Sequence, residues 1–190
     1  MGPRFHPVVL MPPWAVVLDL STPGAADTPP PTPWAIGRYD EDRTIYTQAL
    51  FSDARTVHMG VDLGGPVGTA VHAFSEGVVL HSGVNPTDGD YGGTVVTEHE
   101  IDGVLLWALH GHLSHASVAA SPHGRPLARG EVLGWLGDHH ENGGWPPHLH
   151  FQLSRERPVT HDLPGAVSLA GRAEARRRYP DPRTVLGPLY

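Results

Sequence analysis

The chain contains no cysteine, which removes disulfides, thiolate zinc sites and cysteine nucleophiles together and leaves the redox compartment open. It contains no lysine either. All 13 basic residues are arginines, so a Schiff-base lysine, a P-loop lysine and a lipoyl- or biotinyl-carrying lysine are excluded. Positive charge is in deficit: 20 Asp and Glu give a formal net charge of −7, which offers no electrostatic footprint for nucleic acid or anionic lipid. No apolar run approaches the roughly 20 residues that a membrane helix needs. Nucleic-acid-binding and membrane-inserted readings therefore fall away. At 190 residues with 39% hydrophobic content, the chain suits one globular domain. What is abundant is histidine, 14 residues, beside 23 Gly and 20 Pro, so imidazole is the first suspect for any chemistry.

Nine of the prolines fall in residues 1–33. That stretch cannot sustain a helix and would interrupt a central strand, so it reads as extended coil with one edge strand at Trp14 to Leu20. Residues 1–54 are expected to form a Pro-rich extension packed on a domain at 55–160, followed by a helical tail at 161–190. Arg4, the apolar stretch Val8 to Leu18 and the small residues Gly24-Ala25-Ala26 imitate a signal peptide. Pro7, Pro12, Pro13 and Asp19 interrupt it, and the expectation is a cytoplasmic protein, with secretion the alternative.

Seventeen of the 23 glycines lie between Gly60 and Gly144, punctuating short apolar runs rich in Val. Thr69 to Phe74, Gly77 to Ser82, Gly93 to His99, Gly103 to His110, Glu131 to Leu136 and His148 to Leu153 read as strands. Asp102-Gly103 is a tight hairpin signal between two of them. The pattern predicts an all-β fold, an antiparallel β-sheet sandwich or small barrel. Beyond residue 160, Ala166 to Tyr179 reads as a helix, and Asp181-Pro182 as the start of another. Arg172, Arg176, Arg177 and Arg178 read as its solvated face.

Three histidine clusters carry the chemistry. His58 and Asp62, at i and i+4, would share a face on one strand by its period of two, and both are ligand types suited to zinc. His148 and His150, at i and i+2, project from one face about 7 Å apart at the backbone. His110-Gly-His112 ends the strand that begins at Gly103. Each spacing alone recurs by chance. Together they offer the three ligands that a catalytic zinc requires, with further imidazoles for acid and base work near neutral pH. Spacing alone does not distinguish His148 from His150. Rival signatures fail: no His-Glu-x-x-His, no Gly-x-Ser-x-Gly and no dinucleotide or phosphate loop occurs.

These residues resemble the lysostaphin- or LytM-type zinc endopeptidases, which cut peptide bonds in bacterial peptidoglycan. The matching segments are Arg55 to Asp62, Gly68 to Ala73 with Gly77-Val-Val, Tyr91-Gly-Gly-Thr-Val-Val with His99, His110-Gly-His112-Leu-Ser114, Arg129 to Gly137, and Pro147-His148-Leu-His150-Phe151. The resemblance implies a duplicated-hybrid-motif β-sheet domain with a groove over one Zn²⁺. It implies that His58, Asp62 and His150 bind the metal and that His112 and His148 are non-ligand catalytic histidines, acting on a peptide or peptidoglycan substrate. The run Glu141 to Gln152, with Asp162 to Gly165 and Arg43 to Phe51, is also similar to LytM-type domains fused to class-III aminotransferases, which implies a functional link to an aminotransferase. Two departures stand out. His110 occupies the position where the family usually carries Tyr, which implies a pH-sensitive or lower activity, and Gln152 stands where many relatives carry Glu.

The alternatives are a cytosolic metal-dependent amide hydrolase acting on a small or modified peptide, and a non-catalytic module such as a degenerate LytM-like domain or a histidine phosphocarrier. A degenerate module would lose ligands, and a phosphocarrier does not need Asp62. The remaining histidines read as bystanders: His72, His81 and His99 within strands, and His115, His123, His139, His140 and His161 in turns. His139 and His140 could line the groove, and Trp145 could wall it.

Overall fold

The computed structural model describes residues 4–25, 29–46, 49–51 and 53–190. Along the chain run β1 (Val16–Val17), β2 (Ala35–Gly37), β3 (Arg55–His58), β4 (Val61–Gly64), β5 (Ala70–His72), β6 (Gly77–Asn85), β7 (Gly92–Ile101), β8 (Val104–Leu113), α1 (His115–Ala119), β9 (Pro126–Leu127), β10 (Val132–Trp135), β11 (His148–Ser154), β12 (Ala166–Ser168), α2 (Arg172–Arg178) and α3 (Arg183–Leu186). The hairpin signal is met directly. Asp102 and Gly103 have φ of 53° and 77°, the positive pair that a type I′ turn requires, and the flanking Ile101 and Val104 pair across it.

Eight strands form one sheet in the order β1-β2-β4-β11-β8-β7-β6-β9. It is antiparallel except at its edge, where β1 runs parallel to β2. Two small antiparallel ladders, β10 with β5 and β12 with β3, complete the fold. Apolar residues alternate between the faces of the large sheet. Val95, Ala108, Leu149, Phe151 and Leu153 join one core cluster with Val61, Leu63, Phe74 and Leu133. Val96 and Leu109 join the other, with Val57, Met59, Leu163 and Tyr179. Leu149, Phe151 and Leu153 are each fully buried, worth about 1.5 to 3 kcal/mol apiece relative to exposure. The expected antiparallel sandwich is the architecture found.

Away from the histidine clusters, the structure departs from the sequence reading in three places. The N-terminal extension supplies a second strand, β2, just beyond the coil and between the expected edge strand and β4, and Val8 and Val9 enter the core. Ala166 to Tyr179 is not one helix: Ala166–Ser168 pairs with β3, and only Arg172–Arg178 is helical. Pairing and burial of Ala166 outweigh the helix propensity of its neighbours. The short α1 was not anticipated, although Ser114 caps it by accepting from the Ser117 backbone N–H. Asp181 does mark the last helix, its carboxylate accepting from the Arg183 N–H at 2.9 Å. The basic run is ion-paired: Arg172 and Arg176 meet Asp40, Arg177 meets Glu174 and Arg178 meets Glu156. Among the described residues, no helix is long and apolar enough to cross a membrane.

Candidate metal centre

His58 ends β3, Asp62 lies on β4, His112 stands near the end of β8, and His148 and His150 belong to β11. His58 and Asp62 do not share a strand, as the spacing suggested. The chain turns a corner at Met59-Gly60, β3 pairing with β12 while β4 enters the large sheet. A Cβ at Gly60 would sit 2.6 Å from the His150 ring, so the corner needs a residue without a side chain. Pairing of Asp62 with His150 then brings the three side chains together.

Their ligand atoms converge. His58 Nε2 lies 2.9 Å from His150 Nδ1 and 3.2 Å from Asp62 Oδ1, and His150 Nδ1 is 3.3 Å from the same oxygen. For comparison, a tetrahedral zinc with bonds of about 2.1 Å spaces its ligands about 3.4 Å apart. The outer hydrogen bonds fix which nitrogen is bare. His58 Nδ1–H donates to the Arg38 carbonyl at 2.9 Å. Gln152 donates through Nε2 to the Pro164 carbonyl, so its Oε1 faces His150 and accepts from Nε2–H at 3.0 Å. Two imidazole lone pairs and a carboxylate oxygen thus face one another, an arrangement that a divalent cation stabilises. The donor set fits zinc.

The electrostatics agree. Burial, and then the Arg43 charge, push His58 down to about 4, so it is a neutral donor near pH 7. Burial works against the Asp62 charge, but His58 and the Arg43 guanidinium more than compensate, holding the carboxyl well below its usual range. Arg43 Nη1 donates to Asp62 Oδ2 at 2.7 Å, on the side away from the histidines.

His112 and His148 stand beside these three, their rings 4.2 Å apart. Each is held through Nδ1–H by a backbone carbonyl, Asn142 for His112 and Pro146 for His148, both at 2.7 Å. That leaves Nε2 as the lone-pair nitrogen of each ring. His148 Nε2 is 3.7 Å from Asp62 Oδ1. Burial lowers the pKa of both, His112 well below the usual value with His148 and His150 adding to the effect, and Asp62 opposes the shift of each.

His110 is the main correction. It packs on Phe151, ring centroids 5.2 Å apart, on the opposite face of the sheet from His150, whose pairing partner is Gly111. Strict alternation would have placed His112 there too. Instead β8 bulges, three residue steps from His110 to Leu113 matching two from Val95 to Gly93, and His112 takes φ of 64°. A left-handed non-glycine residue costs about 1 to 3 kcal/mol and tends to mark a functional site. Here it is held by the Tyr91 carbonyl, the Gly137 N–H and the Asn142 carbonyl. His110 is fully buried, its Nδ1–H donating to the Val95 carbonyl and its Nε2 without a partner, and burial pushes it down to about 3. It titrates far below neutrality and outside the site. Because the unfolded chain binds this proton near pH 6.5, the His110 contribution to stability is intact above pH 6.5 and is lost as pH falls towards 3. In metal-free protein, His110→Leu is expected to make the acid-side loss of stability shallower by about 1.4 kcal/mol per pH unit below pH 6, measured by urea unfolding at several pH values. An unchanged slope would contradict the buried neutral state.

Sequence reasoning missed three supports. The Tyr91 hydroxyl donates to the Leu163 carbonyl at 3.0 Å and lies 3.4 Å from His150 Nε2. Arg43 grips Asp62. Buried Asn142 organises its loop, accepting from the Gly144 and Trp145 N–H groups and donating to the Gly137 and Trp145 carbonyls. The Asn-Gly-Gly turn signal could have marked that loop. The bystanders stay bystanders: His72, His81, His99 and His123 bond to nearby backbone carbonyls. A cavity of about 970 Å³ opens over the site, lined by Tyr46, Trp145, Pro146, Leu163, His112 and His148 among others. Trp145 walls it, while His139 and His140 do not line it; their rings meet each other at a tilt of 44°.

The family model for peptidase family M23 matches residues 56–161. The chain is 32% identical over 121 residues to the peptidoglycan DD-endopeptidase ShyC of Vibrio cholerae, covering 62% of this chain and 25% of that one. It is 35% identical over 103 residues to ShyA of the same organism, covering 54% and 21%. It spans about a quarter of the length of the curated relatives it matches. Among solved structures, the antimicrobial peptidase lysostaphin from Staphylococcus simulans aligns with a TM-score of 0.50 at 22% identity, over 83% of this chain and 53% of that one, and so shares the fold. A model that matches more than half of the chain and contains His58, Asp62, His112, His148 and His150 settles the kinship: this chain belongs to peptidase family M23.

Proposed function

We propose that this chain is a zinc-dependent endopeptidase that hydrolyses peptide bonds in peptidoglycan stem or cross-bridge peptides, with His58, Asp62 and His150 holding one Zn²⁺ and His112 and His148 as its catalytic histidines. The observation that carries it is the convergence of two bare imidazole nitrogens and one carboxylate oxygen beside two further imidazoles in one cavity. The two curated relatives, named as peptidoglycan DD-endopeptidases, support the substrate class.

A Zn²⁺ held by these ligands would polarise the scissile carbonyl and bring the pKa of a water towards about 7. The chain's own residues do the rest. His112 and His148 are locked with Nδ1 protonated, so each offers Nε2 to the reacting atoms. His148, whose Nε2 lies 3.7 Å from Asp62 Oδ1, is given the donor role: once protonated it can donate to the developing oxyanion. His112, held more firmly neutral, accepts the proton of the attacking water and returns it to the leaving amine. The apolar walls, Trp145 and Leu163 among them, limit competing water.

The test is to incubate zinc-loaded protein with isolated peptidoglycan and with soluble muropeptides and to identify products by mass spectrometry. The expected result is peptide fragments heavier by one water in total, absent after chelation. Cleavage of small peptides with no action on peptidoglycan would favour the amide-hydrolase alternative, and no cleavage of either by a zinc-loaded protein would overturn the reading.

A further inference from the structure

We infer that Arg43, which lies upstream of the family match, is a positioning residue of the metal centre that holds Asp62 as a one-oxygen ligand. The inference rests on the zinc reading above. The Arg43 side chain is 3% exposed, Asp62 13%. The guanidinium divides its donors among fixed acceptors: Nη1–H to Asp62 Oδ2 at 2.7 Å and to the Tyr46 hydroxyl at 3.2 Å, Nε–H to Glu41 Oε2 at 3.0 Å, and Nη2–H to the Arg38 carbonyl at 3.3 Å. Asp62 Oδ2 is thereby committed, and only Oδ1 faces His58 and His150.

Two further observations tie this segment to the centre. The Arg38 carbonyl that receives Arg43 also receives His58 Nδ1–H, so a single backbone group orients a ligand and the residue that holds another ligand. Gly37, paired with Asp62 across β2 and β4, leaves the space the ion pair occupies: a Cβ there would lie 2.6 Å from Arg43 Nη2 and 2.7 Å from Asp62 Oδ2. Residues 37–43 thus orient two of the three ligands, although the family match begins at residue 56. A planar guanidinium can bridge these acceptors at once, and an ammonium cannot.

The experiment compares wild type, Arg43→Lys and Gly37→Ala in the full chain. Zinc affinity is read by competition with a chromophoric chelator, and coordination by the visible absorption of the Co²⁺-substituted proteins. Arg43→Lys keeps the charge but releases Asp62 Oδ2, and Gly37→Ala pushes the pair apart while keeping both members. Each is expected to bind zinc about 10- to 100-fold more weakly. Each Co²⁺ spectrum is expected to lose intensity as the second carboxylate oxygen gains access to the ion. A residue that only supports the fold would lower the melting temperature and leave the Co²⁺ spectrum unmoved. If Arg43→Lys fails to fold, Gly37→Ala carries the comparison. Variants matching wild type in both affinity and spectrum would overturn the inference and leave the zinc reading standing, whereas a wild type that takes up neither metal overturns both.

Discussion

Replacing His148 with alanine is expected to leave one zinc on the protein and to slow peptide hydrolysis by about 10² to 10³-fold, the usual cost of losing an oxyanion donor. The metal stays because His148 Nε2 is 3.7 Å from Asp62 Oδ1 and lies outside the triad of His58, Asp62 and His150. The rate falls because a donor to the developing oxyanion is gone. His112→Ala is expected to keep the metal as well and to lose about 10² to 10⁴-fold, the range for a general base. The two losses together should fall short of the sum of the single effects on a logarithmic scale, since both groups act on one proton path. Steady-state kinetics on a fluorogenic peptide, with zinc content measured on the same samples, checks this. A zinc-loaded His148→Ala protein with unchanged turnover would contradict the role given to it.

Asp62→Ala is expected to have the larger effect, with turnover falling to background. Removing this carboxylate takes away the only anionic ligand of the triad and leaves the buried Arg43 with Glu41 as its carboxylate partner. The same substitution separates ligand from support by a thermal readout. For wild type, zinc at 1,000 times its dissociation constant adds about 4 kcal/mol to folding stability, and the melting temperature rises accordingly. Asp62→Ala is expected to show no such rise. A zinc-dependent shift that survived in Asp62→Ala would place the metal elsewhere.

Much of this was legible in the sequence because short strands and tight turns announce themselves locally. Asp102-Gly103 specifies its hairpin by the positive φ its two residues tolerate, and the alternation in His148-Leu-His-Phe-Gln-Leu separates a polar face from a core face without tertiary knowledge. What was not legible depends on breaks in that alternation. His58 and Asp62 were read as one strand because nothing local shows that Met59-Gly60 turns a corner; Gly60 is explained only by the His150 ring packed against it. His110 and His112 end one strand in the sequence, and the bulge that puts them on opposite faces is a property of β7 and β8 together. The role of Arg43 was not legible for a similar reason, since its meaning lies in a carboxylate 19 residues away.

The departure at position 110 has a simple physical outcome. A histidine in place of the usual tyrosine would matter to catalysis only if it faced the metal. It faces the core instead, neutral and buried, so its effect is on acid stability. Gln152 has the opposite character: its amide fixes which nitrogen of His150 is bare. A neutral amide there, with Arg43 on Asp62, leaves the centre with less negative charge in its surroundings than a carboxylate partner would give.

The central claim is that His58, Asp62 and His150 form one zinc site, and elemental analysis of purified wild type beside His150→Ala tests it most directly. One zinc per wild-type chain and none in His150→Ala is the predicted result. Equal zinc in the two proteins, or a wild type that remains metal-free after incubation with zinc, would contradict it.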